Sequence, residues 1–358
     1  MNHYLTPKSD LELSHMINEA RQLTRQRFGR TVQLYAPLYL SNECVDTCTY
    51  CGFSRENAIE RTTLSPEKVA SEARILSNEG FRQILLVAGE HPKKVSPEYL
   101  GECLEALHFI PSVSIEVAPF ESAVYTKLKT HGLDGVVIYQ ETYQKNIYES
   151  VHRAGPKKSY EHRLLTPEEA AKAGIRTLGM GILLGLAPWQ KDTAALIDHV
   201  RQMKKKYPDT DISVSLPRLK PCASAFDVKH PVDDRTFVQI IAAIRLSLPD
   251  VPIVLSTRES PALRDALIDG GIGVTRMSAG SRTEPGGYSK PDAELKQFEI
   301  EDHRSPTDVA QMITHKGYDA VWKDWVSPPN LPLRQGEGLN PPSYLRGVGG
   351  DTEKRNRI

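Results

Sequence analysis

Residues 65–88 read SPEKVASEARILSNEGFRQILLVA, and this stretch shows the unit from which the rest of the fold is built. Ser65 is suited to cap a helix with a proline at its first position, and apolar side chains then recur at helical spacing until Gly80. The segment Gln83–Ala88 follows as a short, mainly apolar run of strand length. Such strands are buried on both faces, so the stretch predicts a helix leading into a strand of a parallel sheet.

The same alternation of strand and helix signals extends in both directions along the chain. Seven further strands are predicted at Val32–Leu40, Val113–Ala118, Gly135–Tyr139, Arg176–Leu184, Ile212–Leu216, Ile253–Ser256 and Gly273–Ser278. Helical patterns lie between them, at Thr193–Lys206, Arg235–Leu248 and Ala262–Asp269, and another starts at Thr166. Strands that alternate with helices in this number predict an α/β fold, a closed (β/α)8 barrel of the TIM type. The alternative is an open, doubly wound parallel sheet.

The two ends of the chain differ in composition from this alternating region. A helix over Leu11–Arg27 is predicted to cover the bottom of the barrel, so residues 1–30 are assigned to an amino-terminal cap and residues 31–326 to the barrel. After residue 326 the sequence is rich in proline and glycine and ends in a charged segment. It lacks the apolar surface that a core requires, so residues 327–358 are predicted to be a flexible tail.

The 358 residues include 45 basic and 45 acidic side chains, so the formal net charge is zero. A chain without a basic surplus gives no reason to expect nucleic acid or an anionic membrane as a partner. The longest apolar stretch, Leu178–Trp189, is too short to span a bilayer, and the amino terminus lacks the apolar core of a signal peptide. We therefore expect a cytoplasmic protein.

Three of the five cysteines, Cys44, Cys48 and Cys51, follow the first predicted strand directly. In a barrel this position is the carboxyl-terminal mouth, where active sites are built. Thiolates suit iron–sulfur clusters, and three of them on a [4Fe–4S] cluster leave one iron open to another ligand. A structural zinc site is the alternative, but zinc then takes four protein ligands and no fourth cysteine is close in sequence. Cys103 and Cys222 are interpreted as isolated thiols.

The spacing Cys-x3-Cys-x2-Cys, with Tyr50 before the last cysteine, resembles the motif of radical S-adenosylmethionine (SAM) enzymes. Further motifs are similar to the 2-iminoacetate synthase family, and they read CTYCGFS at 48–54, GEH at 89–91, YQETY at 139–143, STRES at 256–260, QF at 297–298 and VWKDW at 321–325. The resemblance implies that SAM binds the open iron of the cluster. It also implies a carbon–carbon lyase of thiamine thiazole biosynthesis, which cleaves the Cα–Cβ bond of L-tyrosine to 2-iminoacetate (dehydroglycine) and p-cresol.

The resemblance assigns a set of residues to the binding of SAM. These residues are Tyr50, Gly89, Glu90, Glu141, Arg163 and Gly181. It implies that Tyr50 packs near the adenine and that Glu90 meets the SAM ammonium group, which a carboxylate suits. It implies that Arg163 holds the SAM carboxylate, since a guanidinium fork matches a carboxylate. Glycine at 181, with its neighbours at 179 and 185, would let the backbone approach the adenine closely.

The substrate contacts are predicted from the later strands. Arg258 follows the seventh strand and is expected to hold the carboxylate of tyrosine, with help from Ser278 after the eighth. Glu141 is expected to contact SAM or the amino group of tyrosine. The alternative for Arg258 is an ion pair with Glu259 or Asp265.

The resemblance also implies partners, namely a reductant such as flavodoxin or ferredoxin and a complex with the thiazole synthase. No cysteine follows Cys222, so the second cluster of the tyrosine lyase of [FeFe]-hydrogenase maturation is not expected. Two other functions remain open from the residues. One is a radical SAM lyase acting on another aromatic amino acid, such as tryptophan, and the other is a zinc-stabilised barrel that only binds partners.

Overall fold

The computed structural model describes residues 3–224, 226–292 and 295–323. The strands of the described part are β1 (Thr31–Ser41), β2 (Thr47–Cys48), β3 (Gln83–Ala88), β4 (Ser112–Glu116), β5 (Gly135–Glu141), β6 (His152–Ala154), β7 (Thr177–Ile182), β8 (Asp211–Ser215), β9 (Ile253–Leu255), β10 (Val274–Ser278) and β11 (Asp319–Val321). The α-helices are α1 (Asp10–Phe28), α2 (Pro66–Asn78), α3 (Pro97–Ala106), α4 (Ser122–Thr130), α5 (Lys145–Val151), α6 (Tyr160–Lys172), α7 (Trp189–Lys206), α8 (Asp234–Ser247), α9 (Pro261–Gly270) and α10 (Pro306–His315).

A closed barrel of parallel strands forms the centre of the fold, in the order β1, β3, β4, β5, β7, β8, β9 and β10. The pairing of β10 with β1 closes it and sets Tyr35 opposite Ser278. An open sheet would leave these two strands as separate edges, so the open alternative is wrong and the (β/α)8 barrel is confirmed. The helices cover the barrel with their apolar faces, as α2 does with the buried side chains of Val69, Ala73 and Leu76.

The short strand β11 is not predicted by the sequence analysis. It pairs with Thr31–Gln33 at the start of β1, whereas β3 pairs with β1 from Ala36 onward. The main-chain N–H of Arg82 donates to the carbonyl of Trp322 (3.2 Å) just before β3 begins, so β11 extends the sheet below β3. A strand of this length is too short to show a periodic pattern.

The helix that is predicted to start at Thr166 begins instead at Tyr160. Ser159 caps it, because its Oγ accepts a hydrogen bond from the main-chain N–H of His162 (3.3 Å). Pro167 therefore lies inside the helix, where it lacks one N–H donor, and not at the first helical position. This correction places Arg163 on the first turns of α6, with a buried side chain.

Helix α1 packs against α8, and Arg21 Nε donates to the carbonyl of Gly270 (2.5 Å) shortly before β10 begins. These contacts lie toward the amino-terminal ends of the barrel strands. The boundaries between cap, barrel and tail remain predictions, and the predicted tail, residues 327–358, lies outside the described residues. Among the helices of the described ranges, none is long and apolar enough to cross a membrane.

Candidate active site

The predicted cluster cysteines lie at the carboxyl-terminal end of β1, on residues 42–65, which connect β1 to α2 and are called the cysteine segment below. Cys48 belongs to β2, which pairs antiparallel with β6, and Cys44 and Cys51 are partly buried. Arg61 holds the conformation of this segment, because its guanidinium donates at 2.7–3.2 Å to four main-chain carbonyls, those of Asn42, Phe53, Ser54 and Asn57. A single arginine thus ties the two ends of the cysteine segment together.

All three cysteines line one cavity at the mouth of the barrel, and its empty space is about 850 Å³ with the open solvent at the mouth included. The charged residues on its wall are Asp46, Glu90, Glu116, Glu141, Lys157, Arg163 and Arg258. In the part of the chain that the structure describes, no three Cys, His, Asp or Glu side chains converge closely enough to hold a single metal ion. A structural zinc ion takes four protein ligands, whereas a cubane cluster would bind each cysteine through a different iron.

The end of β3 touches the cysteine segment, and Gly89 makes this approach possible. A Cβ atom at Gly89 would lie 2.4 Å from the carbonyl oxygen of Glu43 and 3.0 Å from Cys44 Cβ. The next residue, Glu90, accepts a hydrogen bond at its carbonyl from the N–H of Val45 (2.8 Å). Only glycine fits at position 89, and the backbone after it clamps the segment that carries Cys44.

Glu90 and Arg163 form a buried ion pair on the cavity wall, with Arg163 Nη1 at 2.8 Å from Glu90 Oε1. Arg163 Nε donates to the carbonyl of Tyr139 (2.6 Å), which fixes the direction of the guanidinium. The second carboxylate oxygen of Glu90, Oε2, is buried and has no hydrogen-bond partner among the described residues. A buried acceptor without a donor is costly, so this oxygen suits a ligand that brings its own N–H groups, as an ammonium does.

Glu141 ends β5 in the left-handed region, with a φ of 66°. Its Oε1 lies 2.8 Å from Lys157 Nζ and 3.9 Å from Arg163 Nη2. Burial opposes its ionisation, but the charges of Lys157 and Arg163 outweigh burial and lower the pKa of Glu141 below its usual value. The carboxylate therefore stays charged at the cavity wall.

Tyr50 is buried at the cavity wall, and its Oη lies 2.7 Å from His152 Nε2. His152 Nδ1 lies 2.8 Å from the carbonyl of Tyr148, an acceptor, so Nδ1 carries the proton and Nε2 accepts the bond from Tyr50. Burial, and after it the charge of Lys157, lowers the pKa of His152 to about 3. The imidazole is therefore neutral and holds the ring of Tyr50 in place.

Arg258 lines the same cavity, on the wall that follows β9. Its guanidinium carbon lies 3.4 Å from the centre of the Phe298 ring, and its Nη1 donates to the carbonyl of Arg218 (3.4 Å). Both acids of the alternative interpretation have other partners, since Glu259 accepts from Arg218 (2.9 Å) and Asp265 pairs with Arg304 (2.8 Å). The predicted rim ion pair of Arg258 is therefore wrong.

Two predicted residues lie away from this cavity wall. Ser278 is buried in β10, and its Oγ accepts a hydrogen bond from the N–H of Thr257 (3.0 Å). Gly181 lies inside β7, where an added Cβ would be 2.4 Å from the ring of Tyr139. Ser278 thus contacts Thr257, and Gly181 packs against Tyr139. Their roles in binding stay predictions.

The sequence analysis missed three charged residues of the wall, Asp46, Glu116 and Lys157. Glu116 ends β4, and burial, followed by the charge of Glu141, raises its pKa to about 7. An acid within a mainly apolar predicted strand was a readable signal for Glu116. Lys157 follows β6 in a short turn and carried no comparable signal, because only the fold brings it to Glu141.

Comparison with known proteins shows the family of this chain. The model of the Radical SAM superfamily matches residues 38–197, and that of the Biotin and Thiamin Synthesis associated domain matches residues 215–319. The chain is 42% identical over 325 residues to the 2-iminoacetate synthase of Escherichia coli (strain K12), which covers 90% of this chain and 86% of that protein.

Among solved structures, the FeFe-hydrogenase maturase HydG from Carboxydothermus hydrogenoformans is similar, with a TM-score of 0.84 and 35% identity. The match covers 90% of this chain and 75% of that one. The chain belongs to the 2-iminoacetate synthase family of radical SAM enzymes.

Proposed function

We propose that this protein is a radical SAM lyase that cleaves the Cα–Cβ bond of L-tyrosine, with 2-iminoacetate and p-cresol as products and SAM converted to methionine and 5′-deoxyadenosine. The observation that carries the proposal is a single cavity at the mouth of the barrel, lined by three cysteines, by the Glu90–Arg163 pair and by Arg258. The name of the curated relative that is 42% identical to the chain supports the reaction.

Cys44, Cys48 and Cys51, which line the cavity, would hold the [4Fe–4S] cluster. When bound, the cluster and SAM supply a 5′-deoxyadenosyl radical that removes a hydrogen atom from the substrate. The backbone at Gly89 and the guanidinium of Arg61 keep the cysteine segment in place around this group. The protein would fix the positions of the three thiolates, because each of them must reach a different iron.

The unpaired oxygen of Glu90 indicates which wall of the cavity would bind SAM. Glu90 Oε2 would accept from the ammonium of SAM, and Arg163, held by Glu90 and by the carbonyl of Tyr139, would sit beside its carboxylate. Tyr50, fixed by neutral His152, would offer its ring as an apolar surface to the adenine. Glu141 remains charged through Lys157 and would meet a hydroxyl or amino group.

Arg258 would hold the carboxylate of tyrosine from the wall of the barrel that lies opposite β4. β9 is the seventh strand of the closed order and β4 the third, so Arg258 after β9 and Glu116 at the end of β4 approach the cavity from opposite walls. An amino acid between them would be oriented by charge at both walls. The barrel wall that surrounds the substrate would keep water and competing hydrogen donors away.

The reaction needs two electrons, one to reduce the cluster and one, with a proton, to convert the benzyl fragment of tyrosine to p-cresol. We therefore propose a flavodoxin or ferredoxin as the partner that supplies them and the reducing cytoplasm as the compartment. Because 2-iminoacetate hydrolyses in water, we also propose direct transfer to the thiazole synthase. Co-purification of the two proteins under anaerobic conditions would test this transfer.

Anaerobic reconstitution followed by product analysis tests the function. The iron-loaded protein, with SAM, dithionite and tyrosine, is expected to form p-cresol and 5′-deoxyadenosine in equal amounts. A protein that binds no iron–sulfur cluster would support the zinc-stabilised barrel. A loaded protein that cleaves tryptophan in preference to tyrosine would move the assignment to another aromatic amino acid lyase.

A further inference from the structure

Gln297 lies against the cysteine segment on the chain between β10 and α10. Its main-chain N–H donates to the carbonyl of Thr283 (2.9 Å), and its carbonyl accepts from the N–H of Gly52 (3.1 Å). A Cβ atom at Gly52 would lie only 2.3 Å from that carbonyl oxygen. The backbone of Gln297 is therefore fixed against the residue that follows Cys51, whatever its side chain does.

The side chain of Gln297 connects a buried phenol to a cysteine sulfur. Its Oε1 accepts a hydrogen bond from Tyr39 Oη (2.8 Å), and its Nε2 donates to Cys51 Sγ (3.7 Å). A carboxamide has one acceptor end and one donor end, so while Oε1 accepts from Tyr39 the donor end faces the sulfur. Tyr39 thus orients the amide, and the amide presents an N–H group to Cys51.

One side of this relay is apolar, and the other side, where Gln297 and Cys51 line the cavity, is open to it. Tyr39, Phe53, Leu85 and Val87 form a buried cluster, and Cys51 packs against it. The rings of Tyr39 and Phe53 meet edge to face, with their centres 5.9 Å apart. On the apolar side a hydrogen bond has a larger electrostatic effect than in water, so this N–H bears on the charge of the sulfur.

We infer that Gln297 is a positioning residue that raises the reduction potential of the cluster by donating its side-chain N–H to Cys51, in an orientation set by Tyr39. The inference rests on the proposed function, since it assumes that Cys51 ligates the cluster. Reduction adds an electron and therefore negative charge to the cluster and its sulfurs. A donor aimed at a ligating sulfur stabilises the reduced form more than the oxidised form.

A redox titration of the reconstituted full-length protein tests the inference, with the reduced cluster followed by electron paramagnetic resonance without SAM or tyrosine. Gln297→Leu fills similar space without a donor, and its midpoint potential is expected to fall by ~59 mV, a tenfold fall in the reduced-to-oxidised ratio at fixed potential. Tyr39→Phe releases the amide from its fixed orientation and is expected to lower the potential by less. Gln297→Glu replaces the donor with a carboxylate and is expected to lower it at least as much as Gln297→Leu.

Gln26→Leu, the same chemical change at an exposed site of α1, is the control and is expected to leave the potential unchanged. If Gln297→Leu assembles no cluster, Tyr39→Phe decides, because it leaves the space around Cys51 filled. Equal potentials in the wild type and in every variant that carries a cluster would overturn the inference and leave the proposed function intact. A wild type without a cluster would overturn the proposed function itself.

Discussion

Lys157 Nζ and Glu141 Oε1 lie 2.8 Å apart, and this buried ion pair joins the end of β5 to the turn that follows β6. The main-chain N–H of Lys157 also donates to Asp46 Oδ1 (2.9 Å), within the cysteine segment. One lysine therefore connects a barrel strand to the segment that carries the cysteines. The arrangement places a charged carboxylate at the cavity wall and links its position to that of the predicted cluster ligands.

Replacement of Glu141 separates backbone strain from charge. Its φ of 66° lies in the left-handed region, which costs a residue with a Cβ atom about 1–2 kcal/mol and costs glycine little. Glu141→Ala and Glu141→Gly both remove the ion pair with Lys157, but only glycine relieves the strain. In urea unfolding of the protein without cluster, Glu141→Gly is expected to be more stable than Glu141→Ala by about 1 kcal/mol. Equal stability of the two variants would contradict a strained backbone.

Glu116 makes the stability of the barrel depend on pH. Its pKa is raised to about 7 in the folded protein, above the ordinary value of about 4.3 expected in the unfolded chain. Ionisation is thus easier after unfolding, so Glu116 lowers stability increasingly as the pH rises from the unfolded pKa to the folded one. Glu116→Gln removes this effect and is expected to raise the melting temperature at pH 8 much more than at pH 5.

The matched control for this measurement is Glu19→Gln, an exposed acid on α1. It is expected to change the melting temperature little at either pH. A gain from Glu116→Gln that is the same at pH 5 and pH 8 would show that Glu116 is not the titrating group.

The cysteines are expected to divide into two groups. Alanine at Cys44, Cys48 or Cys51 removes a thiolate from one iron and is expected to abolish both cluster loading and formation of 5′-deoxyadenosine. Cys103 is buried in α3, outside the cavity wall, and Cys103→Ala is expected to load iron like the wild type. Iron content and 5′-deoxyadenosine are the measurements, and a Cys48→Ala protein that still forms 5′-deoxyadenosine would disprove the ligand assignment.

Arg258→Lys tests the hold on the substrate carboxylate. Lysine keeps the charge but loses the planar fork, and hydrogen abstraction tolerates little displacement of the substrate. Formation of p-cresol is therefore expected to fall by about 10- to 100-fold, whereas 5′-deoxyadenosine continues to form without matching p-cresol. The ratio of the two products is the measurement. A constant ratio together with weaker SAM binding would place Arg258 at the SAM site instead.

Local patterns accounted for the barrel strands and for the candidate cluster ligands. The strand Gln83–Ala88 lies where the sequence predicts it, because an apolar run of this length is its own signal. The helix over Leu11–Arg27 is observed at Asp10–Phe28, with Ser9 as its cap. The start of α6 was predicted wrongly because Thr166 followed by Pro167 resembles a helix start, whereas the observed cap is Ser159.

The sequence by itself determined the alternation of strands and helices and the spacing of Cys44, Cys48 and Cys51, since both depend on neighbours a few residues apart. The tertiary structure alone decided that β10 closes on β1, that Lys157 meets Glu141 and that Gln297 faces Cys51. These contacts join segments far apart in the chain. Each is stabilised only after the barrel has brought its partners into one buried environment, and no local pattern of apolar or polar residues encodes that meeting.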